Sequence, residues 1–425
     1  MFYMKQTMYV YRFLVFLSIP YAMVRILKKS RKDKNYLCCL AERFGKYNLS
    51  SSDSIWVHAC SVGEVIAASK IIDELVSHNP KQDILITVLT PTGKDKVKQL
   101  YSNQDKVICV YLPYDISFAI KKLLQSFKPK ILVLLETEIW PNLISICQNK
   151  KIPVLLANAR LSKKSCRNYT YAYKFFNKII GKIDVIATQY ETDAKRFRFL
   201  GAKKSQVRNL GSVKYDLAQI TKEHSNRVLH GQKFKNTLIA VSTHHNEEEI
   251  IIRAFIKIKQ KIADAKLILV PRHSYRSKKI AQDLQKNSIK FCRHSKIVDN
   301  QNNYDALLVD EMGMLKKLYE FADIAFIGGS LIEHGGQNPI EAAGHGLPLL
   351  MGPSRYNFDY ITKSLKKDSA IINVNNADDI YKNCYDLLQN SNYKERMGAA
   401  AKQNVMSQKG SSIKYVELIK KIISA

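Results

Sequence analysis

Two series of short apolar segments, separated by stretches long enough for helices, constrain the fold of this 425-residue chain more than any other feature. Such alternation is typical of a parallel β-sheet covered by helices on both faces, because buried parallel strands are apolar throughout and each crossover needs a helix. The first series predicts strands at Ile55–Cys60, Ile84–Leu89, Val107–Leu112, Ile131–Leu135, Val154–Ala157 and Val185–Thr188. The second predicts strands at Thr237–Val241, Leu267–Val270, Ala306–Val309, Ile324–Ile327 and Pro348–Met351.

A polar, lysine-rich stretch at 216–236 interrupts this alternation and suits a linker. Two domains are also expected from the length, because 425 residues exceed the usual size of a single hydrophobic core. We therefore predict an α/β protein with two doubly wound, Rossmann-like domains that face a cleft at the carboxyl ends of their strands. The predicted boundaries are an N-terminal segment at 1–33, a first domain at 34–215 and a second at 216–425, whose C-terminal helix could pack back on the first domain.

The charge of the chain points to an anionic partner. The net charge is +30, and residues 1–210 carry 35 Lys and Arg against 15 Asp and Glu. A field of this size in the first half favours membrane phospholipid, a phosphorylated lipid or nucleic acid as the partner. The alternative is a lysine-rich composition spread over solvated surfaces.

The N-terminal segment has the composition of a membrane-associated helix. Tyr9 to Leu27 is mostly apolar, Arg12 and Arg25 interrupt it, and a basic run that starts at Lys28 follows directly. A secretory signal would place its charge ahead of the apolar stretch, and a clean spanning helix would lack the internal charges. We predict either a short anchor or a helix in the membrane interface, held by basic residues on the cytoplasmic side. A helix packed on the first domain is the alternative.

A glycine-rich segment, Gly328–Glu341, resembles a phosphate-binding loop. It follows a predicted strand, and its four glycines permit positive φ and close approach of a ligand to the backbone. Asn338 suits a helix N-cap and Pro339 the first helical position, so that free N–H groups and the positive end of a helix would face the loop. An ordinary crossover from strand to helix explains the same pattern.

Charged residues follow several strands of the first domain. Glu64 comes directly after the first strand, and Glu136–Asn142 closes a later strand with two carboxylates and a tryptophan. Glu64 could be a general base, and the second pair could orient a hydroxyl or stabilise positive charge on a sugar ring. A charge partner at a helix N-terminus and a capped turn are the structural alternatives. Arg160 and Lys214 add cations that could pair with phosphate or carboxylate groups.

In the second domain Arg272 follows a predicted strand and is the best candidate for a phosphate contact beside the glycine-rich segment. The chain lacks a P-loop, a dinucleotide fingerprint and an Asp-x-Asp at a strand end. The eight cysteines show no zinc-type spacing, which favours free thiols in a reducing compartment. The sequence therefore implies neither a metal nor a cofactor, and it lacks the aromatic pattern of an RNA-binding sheet.

Seven of these segments, in order along nearly the whole chain, resemble the 3-deoxy-D-manno-octulosonic acid (Kdo) transferases of lipopolysaccharide synthesis. The resemblance implies a GT-B glycosyltransferase whose first domain takes a lipid acceptor and whose second domain takes the sugar nucleotide CMP-Kdo. The matching segments are His58–Glu64, Leu112–Asp115, Glu136–Asn142, Asn158–Ser162, Gly211–Asp216, Pro271–His273 and Gly328–Glu341.

The same resemblance implies roles for individual residues. Glu64 matches the catalytic base of the family, and Glu136 and Lys214 match residues that stabilise the transition state. One position departs from the family, which usually has Glu where this chain has Met314. The residues that match CMP-binding segments are Pro271, Arg272, Met312, Gly313, Met314, Asn338, Pro339, Ile340 and Glu341.

The implied reaction is inverting transfer of Kdo from CMP-Kdo to the 6'-hydroxyl of the lipid A precursor, lipid IVA, on the cytoplasmic side of the cell inner membrane. Its expected partners are CMP-Kdo, the lipid A precursor and the anionic membrane, with no metal, cofactor or nucleic acid. Another GT-B sugar-nucleotide transferase or epimerase is the enzymatic alternative. A non-catalytic basic protein that binds membranes or polyanions is the other, although it leaves the ordered strand-end segments unexplained.

Overall fold

A computed structural model describes residues 2–31, 33–37, 40–79, 81–218, 228–229, 232–297, 303–311 and 313–424. The chain divides into two compact units. Unit 1 comprises Met1–Asp216 together with Gly410–Ala425, and unit 2 comprises Leu217–Lys409. Each unit contains a seven-stranded sheet in which all paired strands are parallel. The predicted α/β class is therefore confirmed.

Unit 1 is built on a sheet whose central strands are buried. The strands are β1 (Ile55–His58), β2 (Ile84–Val88), β3 (Val107–Tyr111), β4 (Ile131–Leu135), β5 (Val154–Ala159), β6 (Val185–Thr188) and β7 (Val207–Asn209). Their order across the sheet is β3-β2-β1-β4-β5-β6-β7. Every residue of β1, β2, β4 and β5 is buried, as expected for parallel strands covered on both faces.

Helices cover this sheet. Those before residue 216 are α1 (Phe2–Ser30), α2 (Leu40–Arg43), α3 (Val62–His78), α4 (Pro91–Tyr101), α5 (Ser117–Phe127), α6 (Pro141–Asn149), α7 (Lys163–Thr170), α8 (Tyr173–Ile180) and α9 (Glu191–Phe199). Local sequence explains several of the helix starts. In α4, for example, Pro91 occupies the first turn and the Thr90 hydroxyl accepts a hydrogen bond from the Gly93 N–H at 3.1 Å.

Unit 2 repeats the architecture. A two-stranded antiparallel ladder, β8 (Val228–Leu229) and β9 (Gln232–Lys233), precedes its sheet. The sheet strands are β10 (Thr237–Thr243), β11 (Lys266–Pro271), β12 (Phe291–Arg293), β13 (Ala306–Leu308), β14 (Ile324–Ile327), β15 (Leu349–Met351) and β16 (Ile371–Asn373), in the order β12-β13-β11-β10-β14-β15-β16. The helices are α10 (Glu247–Lys261), α11 (Ser277–Lys286), α12 (Leu315–Leu318), α13 (Ile340–Gly344), α14 (Asp359–Lys367), α15 (Ala377–Gln389) and α16 (Ser391–Ser407).

All eleven predicted strands are present, with ends shifted by at most two residues. Three sheet strands were missed, namely β7, β12 and β16, and each lies at the edge of its sheet. Edge strands are only partly covered, so their residues do not form a continuous apolar run. The stretch predicted as a linker contains the β8–β9 ladder, while its residues 219–227 and 230–231 lie outside the described part of the chain.

The last helix, α17 (Ser411–Ile423), belongs to unit 1 although it follows unit 2 in the sequence. The Asp216 carboxylate accepts hydrogen bonds from the backbone N–H groups of Gly410 and Ser412, both at 2.6 Å, and so caps the start of α17. Tyr415 is fully buried, and its hydroxyl donates to the carbonyl oxygens of Ala187 at 3.2 Å and Gly211 at 3.1 Å. Residues 410–425 of the predicted second domain therefore complete the core of the first unit.

Helix α1 covers unit 1 with one face and exposes the other. Met8 and Ile26 are both 8% exposed, and their spacing of five helical turns puts them on the same face. Most large apolar side chains of the opposite face are more than half exposed. Among the described residues, Thr7–Ser30 is the one helical segment long and apolar enough to cross a membrane by length and composition.

Two polar residues of α1 contact the start of α6. The Tyr11 hydroxyl donates to Asp115 Oδ2 at 2.7 Å, and Arg12 Nε donates to Asn142 Oδ1 at 3.0 Å. Asp115 in turn accepts hydrogen bonds from the backbone N–H groups of Asn142 at 3.0 Å and Leu143 at 2.8 Å. Burial raises the pKa of Asp115, and these donors oppose the rise. Asp115 is therefore a buried cap that joins α1 to α6.

We expect Asp115→Ala to lower the free energy of unfolding of unit 1 by about 2 kcal/mol or more, because two buried N–H groups lose their acceptor. Urea unfolding followed by tryptophan fluorescence measures this selectively, since both tryptophans, Trp56 and Trp140, lie in unit 1. The exposed Asp105 supplies the control, and Asp105→Ala should change the value by less than about 0.5 kcal/mol. Equal midpoints for the two variants would contradict the capping role.

Candidate functional site

The unit 1 site forms where the central strands β1 and β4 end. These strands pair in parallel from Ile55 with Ile131 to His58 with Leu134, so their carboxyl ends lie side by side. The chain leaves β1 into α3, which begins at Val62, and Glu64 lies in its first turn. Since polar residues follow both strands, their side chains meet at one edge of the sheet.

Glu64 has the surroundings of a general base. Its Oε2 accepts a hydrogen bond from the Cys60 backbone N–H at 2.6 Å, and Ser61 Oγ lies 3.5 Å from its Oε1. Burial raises the pKa of Glu64 to about 7, the neighbouring carboxylates of Glu138 and Glu136 add to the rise, and the Cys60 N–H opposes it. A carboxyl group that titrates near neutral pH can accept a proton from a substrate hydroxyl efficiently.

Glu136 and Lys214, both predicted to stabilise a transition state, form an ion pair. Lys214 Nζ lies 3.1 Å from Glu136 Oε1, and each side chain is 22% exposed. Glu136 has a φ of +55°, a left-handed conformation that side-chain-bearing residues rarely adopt. Its N–H donates to the Ala157 carbonyl at 3.0 Å, which ties this conformation to β5. Strained, well-held residues of this kind cluster at functional sites.

Glu138 is the second carboxylate beside Glu64. Its Oε2 accepts a hydrogen bond from Trp140 Nε1 at 2.8 Å and lies 3.6 Å from Nε2 of the fully buried His58. The Cys60 sulfur, one Glu64 oxygen and one Glu138 oxygen all lie within 4.8 Å of one another, the one such group of potential metal ligands among the described residues. Burial raises the pKa of the Cys60 thiol to about 12, and the charges of Glu138 and Glu64 add to the effect.

In unit 2 the glycine-rich segment is already occupied by a side chain of the protein. Glu247, fully buried at the start of α10, accepts hydrogen bonds from the backbone N–H groups of Gly329 at 2.6 Å, Ser330 at 2.9 Å and Leu331 at 3.0 Å. It also accepts one from the His244 N–H at 2.9 Å. The backbone N–H groups of residues 329–331 are therefore not free to bind a ligand, because an internal carboxylate takes that place.

The cap geometry at the start of α13 agrees with the predicted one. Pro339 has helical backbone angles, φ −85° and ψ −11°, and the hydrogen-bonded helix runs from Ile340 over only five residues. The Asn338 side chain accepts a hydrogen bond from the Ile340 N–H at 3.2 Å, so it shields the end of the helix instead of leaving it open. Burial raises the pKa of Glu341, and the positive charge of Lys316 opposes the rise. The short helix offers a weak dipole for anion binding.

Residues around α12 include the position that departs from the family pattern. Met312 lies outside the described residues. Gly313 has a φ of +89° and open space where a side chain would start. Met314 is half-buried at the N-cap of α12. Lys316 of this helix acts electrostatically on Glu341 at the start of α13, so the 313–314 turn and the Asn338–Glu341 segment are neighbours in unit 2.

Cationic and imidazole side chains gather at the ends of β10, β11 and β14. The rings of His244 and His334 lie 4.1 Å apart by their centroids, those of His244 and His273 lie 6.1 Å apart, and Gln337 Nε2 is 3.0 Å from His244 Nε2. Burial, together with the nearby His334, His273, Arg272 and Arg276, lowers the pKa of His244 to about 4. Such surroundings repel added positive charge and would attract an anion.

The structure places the predicted residues Pro271 and Arg272 at this same position. Pro271 ends β11 and is buried, whereas the Arg272 side chain is exposed and its N–H donates to the Thr243 carbonyl at 2.9 Å. The sequence reasoning did not assign roles to His334 or Glu247. An acidic first helical turn after a strand, opposite a glycine-rich loop, is the signal that could have identified Glu247.

Two seven-stranded parallel sheets in separate units, each with polar residues at its strand ends, define a GT-B type glycosyltransferase fold. Comparison with family models agrees. Residues 39–217 match the family described as 3-Deoxy-D-manno-octulosonic-acid transferase (kdotransferase), and residues 222–404 match Glycosyl transferases group 1.

Relatives of known identity cover nearly the whole chain. It is 35% identical over 418 residues to the 3-deoxy-D-manno-octulosonic acid transferase of Haemophilus influenzae, which covers 96% of this chain and 97% of the relative. The Rickettsia bellii enzyme of the same name is 30% identical and covers 98% of this chain and 97% of its own length. The chain therefore belongs to the 3-deoxy-D-manno-octulosonic acid (Kdo) transferase family.

Solved structures support the fold. UDP-GlcNAc 2-epimerase from Neisseria meningitidis aligns with a TM-score of 0.61 at 15% identity, over 87% of this chain and all of that one. A glycosyltransferase from Rickettsia africae aligns with a TM-score of 0.59 at 12% identity, over 89% of this chain and 99% of the other. At these identities the likeness concerns the fold alone.

We expect Glu247→Gln to loosen the glycine-rich loop. In the wild type the loop N–H groups meet two carboxylate oxygens, whereas the amide of the variant presents one oxygen and one NH₂ group to them. Each charge-assisted hydrogen bond is worth about 1.5–3 kcal/mol. Amide hydrogen exchange of the peptide that spans Gly329–Leu331 should become faster than in the wild type. Glu249→Gln, an exposed change two residues away on α10, is the matched control. Unchanged exchange in Glu247→Gln would show that the carboxylate does not hold the loop.

Proposed function

We propose that this Kdo transferase moves Kdo from CMP-Kdo to the 6'-hydroxyl of the lipid A precursor, lipid IVA, with inversion at the anomeric carbon. The observation that carries the proposal is Glu64, a partly buried carboxyl group with its pKa raised to about 7 at the end of the central strand of unit 1. Inverting transfer needs one base on the acceptor side and no covalent enzyme intermediate, and Glu64 is suited to that single task.

Glu64 takes the proton of the acceptor hydroxyl as its oxygen attacks the anomeric carbon. The electron pair of the bond between Kdo and phosphate leaves with CMP. The Lys214–Glu136 ion pair supports this step, because a fixed cation and anion at 3.1 Å provide an oriented dipole for charge that develops on the sugar.

The donor is assigned to unit 2. Arg272 supplies the positive charge that a departing phosphate and the Kdo carboxylate require, and the imidazoles of His244, His273 and His334 offer ring nitrogens for hydrogen bonds. The segments Met312–Met314 and Asn338–Glu341 complete the proposed CMP site. Since protein cations carry the charge of the leaving group in this scheme, the reaction is proposed to be independent of metal.

The proposed location is the cytoplasmic face of the inner membrane, with α1 as the membrane-associated helix. Met8 and Ile26 of α1 are buried, whereas its other described side chains are partly or fully exposed. The exposed large apolar side chains are Tyr9, Val10, Phe13, Leu14, Phe16, Leu17, Tyr21, Val24 and Leu27. An exposed apolar helix followed by basic residues suits association with an anionic membrane.

Helices α7 and α8 extend this exposed surface. Tyr11 of α1 contacts Phe175 of α8, with ring centroids 5.6 Å apart. The nearby side chains that are exposed and either basic or aromatic are Lys163, Lys164, Arg167, Tyr171, Tyr173 and Lys174. Cations beside aromatic rings at a membrane surface suit an acceptor that carries phosphates on an acylated sugar.

We expect Glu64→Gln to reduce the rate of transfer by about 10²- to 10⁴-fold while the protein still binds CMP-Kdo, because only the base is removed. In the wild type, kcat/KM should rise with pH through a midpoint of about 7, since protonated Glu64 cannot accept the hydroxyl proton. Mass spectrometry of lipid IVA incubated with CMP-Kdo measures the transfer rate of the variant and the pH dependence of kcat/KM in the wild type. Near-normal turnover by folded Glu64→Gln would remove Glu64 from the mechanism.

Arg272→Ala provides the contrast on the donor side. It should raise the KM for CMP-Kdo and leave the pH midpoint in place, because Glu64 lies in the other unit. Inhibition by added CMP and by added UDP, measured in the same assay, separates the proposed donor from that of a UDP-sugar transferase or epimerase. Stronger inhibition by UDP would contradict the assignment of CMP-Kdo.

We expect Phe13→Glu to weaken sedimentation with vesicles that contain phosphatidylglycerol by about tenfold or more, because it puts a charge on the face of α1 that enters the lipid. Phe199→Glu is the matched control, since both side chains are 62% exposed and Phe199 lies on α9. High salt should weaken binding of the wild type. An equal loss of vesicle binding in Phe13→Glu and Phe199→Glu would contradict the proposal that the exposed face of α1 enters the lipid.

A further inference from the structure

Glu138 and His58 form a buried pair directly behind the proposed base. His58 ends β1, is 0% exposed, and its Nε2 is one of the buried side-chain nitrogens without a hydrogen-bond partner. That nitrogen points at Glu138 Oε2 from 3.6 Å. The other contact of this oxygen is the indole N–H of Trp140 at 2.8 Å. A buried, unpartnered nitrogen aimed at a carboxylate needs a chemical explanation.

The contacts of His58 allow one ring hydrogen to face Glu138. His58 Nδ1 lies 2.9 Å from the Thr87 hydroxyl oxygen, which can donate to it, and 3.0 Å from the Thr87 carbonyl oxygen, which can only accept. When Nδ1 accepts from the hydroxyl, Nε2 carries the ring hydrogen and directs it at Glu138 Oε2. In this tautomer His58 and Trp140 both direct an N–H group at the same carboxylate oxygen.

The carboxylate of Glu138 lies next to Glu64. One oxygen of Glu138 and one of Glu64 lie within 4.8 Å of each other, a separation that a single water can bridge. Two carboxylates at this distance resist simultaneous ionisation, and the negative charge of Glu138 is the largest contribution from another residue to the raised pKa of Glu64. The titratable or charged groups around Glu138 are His58, Cys60, Glu64, Glu136, Tyr169 and, through Glu136, Lys214.

We propose that Glu138 and His58 are positioning residues that act through Glu64, setting its proton affinity and receiving the proton that it takes from the acceptor. The acceptor O–H bond breaks as its oxygen bonds to the anomeric carbon, and the proton moves to Glu64. Glu64 then passes the proton to Glu138, directly or through one water, and becomes ionised again. The proton leaves from the Glu138–His58 pair to solvent. This inference rests on the proposed role of Glu64 as the base.

The test compares pH profiles of four purified full-length proteins: wild type, Glu64→Gln, Glu138→Gln and Glu138→Asp. In Glu138→Gln we expect kcat to fall about 10- to 100-fold and the acid midpoint of kcat/KM to move down by about half a pH unit or more, because the like charge beside Glu64 is gone. In Glu138→Asp, which keeps the charge, the midpoint should stay near that of the wild type while kcat falls. The KM for CMP-Kdo should not change in either variant.

Glu191→Gln on α9 is the control, since its side chain is 53% exposed and pairs with Arg198 at the surface. It should leave both rate and midpoint unchanged. If Glu138→Gln does not fold, as judged by tryptophan fluorescence, His58→Gln replaces it, and a slower rate with an altered midpoint is again expected. If the folded variant keeps the acid midpoint of kcat/KM of the wild type, the proposed role of the Glu138–His58 pair is overturned.

The two proposals fail in different ways. Activity retained by Glu64→Gln would overturn the assigned base and with it the pair. Loss of activity in Glu64→Gln, together with an unshifted midpoint in Glu138→Gln, would overturn the pair alone and leave Glu64 as the base. Equal midpoints in Glu138→Gln and Glu138→Asp would reduce Glu138 to a structural partner of Trp140.

Discussion

The parallel pairing of β1 with β4 is the constraint on which the unit 1 site depends. Backbone hydrogen bonds between these fully buried strands fix their carboxyl ends side by side, so that the residues after each strand share one small volume. Glu64, Glu136 and Glu138 become neighbours for this reason, and their mutual repulsion together with burial produces a carboxyl group that titrates near pH 7. Acid–base chemistry at this site is therefore a consequence of sheet topology.

Unit 2 uses the same sheet edge differently. Its glycine-rich loop is shaped by the internal carboxylate of Glu247, which satisfies three consecutive backbone N–H groups and is itself fully buried. The loop backbone is thus held in place, and Arg272 brings positive charge to the region. A fixed backbone beside a cation suits an anionic ligand.

Much of the fold could be predicted because its signals are local. Each central strand is a continuous apolar run, and all eleven predicted strands are present. The missed strands β7, β12 and β16 lie at sheet edges, where partial exposure removes that pattern. The assignment of α17 to unit 1 depends on the Asp216 cap and the burial of Tyr415, contacts across some 200 residues that no local pattern contains.

Residue types and order along the chain were enough to identify the α/β class, the strand ends that carry charged residues, and the resemblance to Kdo transferases. They could not reveal which backbone groups were free, since that depends on distant partners such as Glu247 for the glycine-rich loop. Nor could they reveal that His58 lies against Glu138, or that Lys214 pairs with Glu136. Proton affinity and hydrogen-bond availability arise from burial and neighbouring charge, which exist only once the chain is folded.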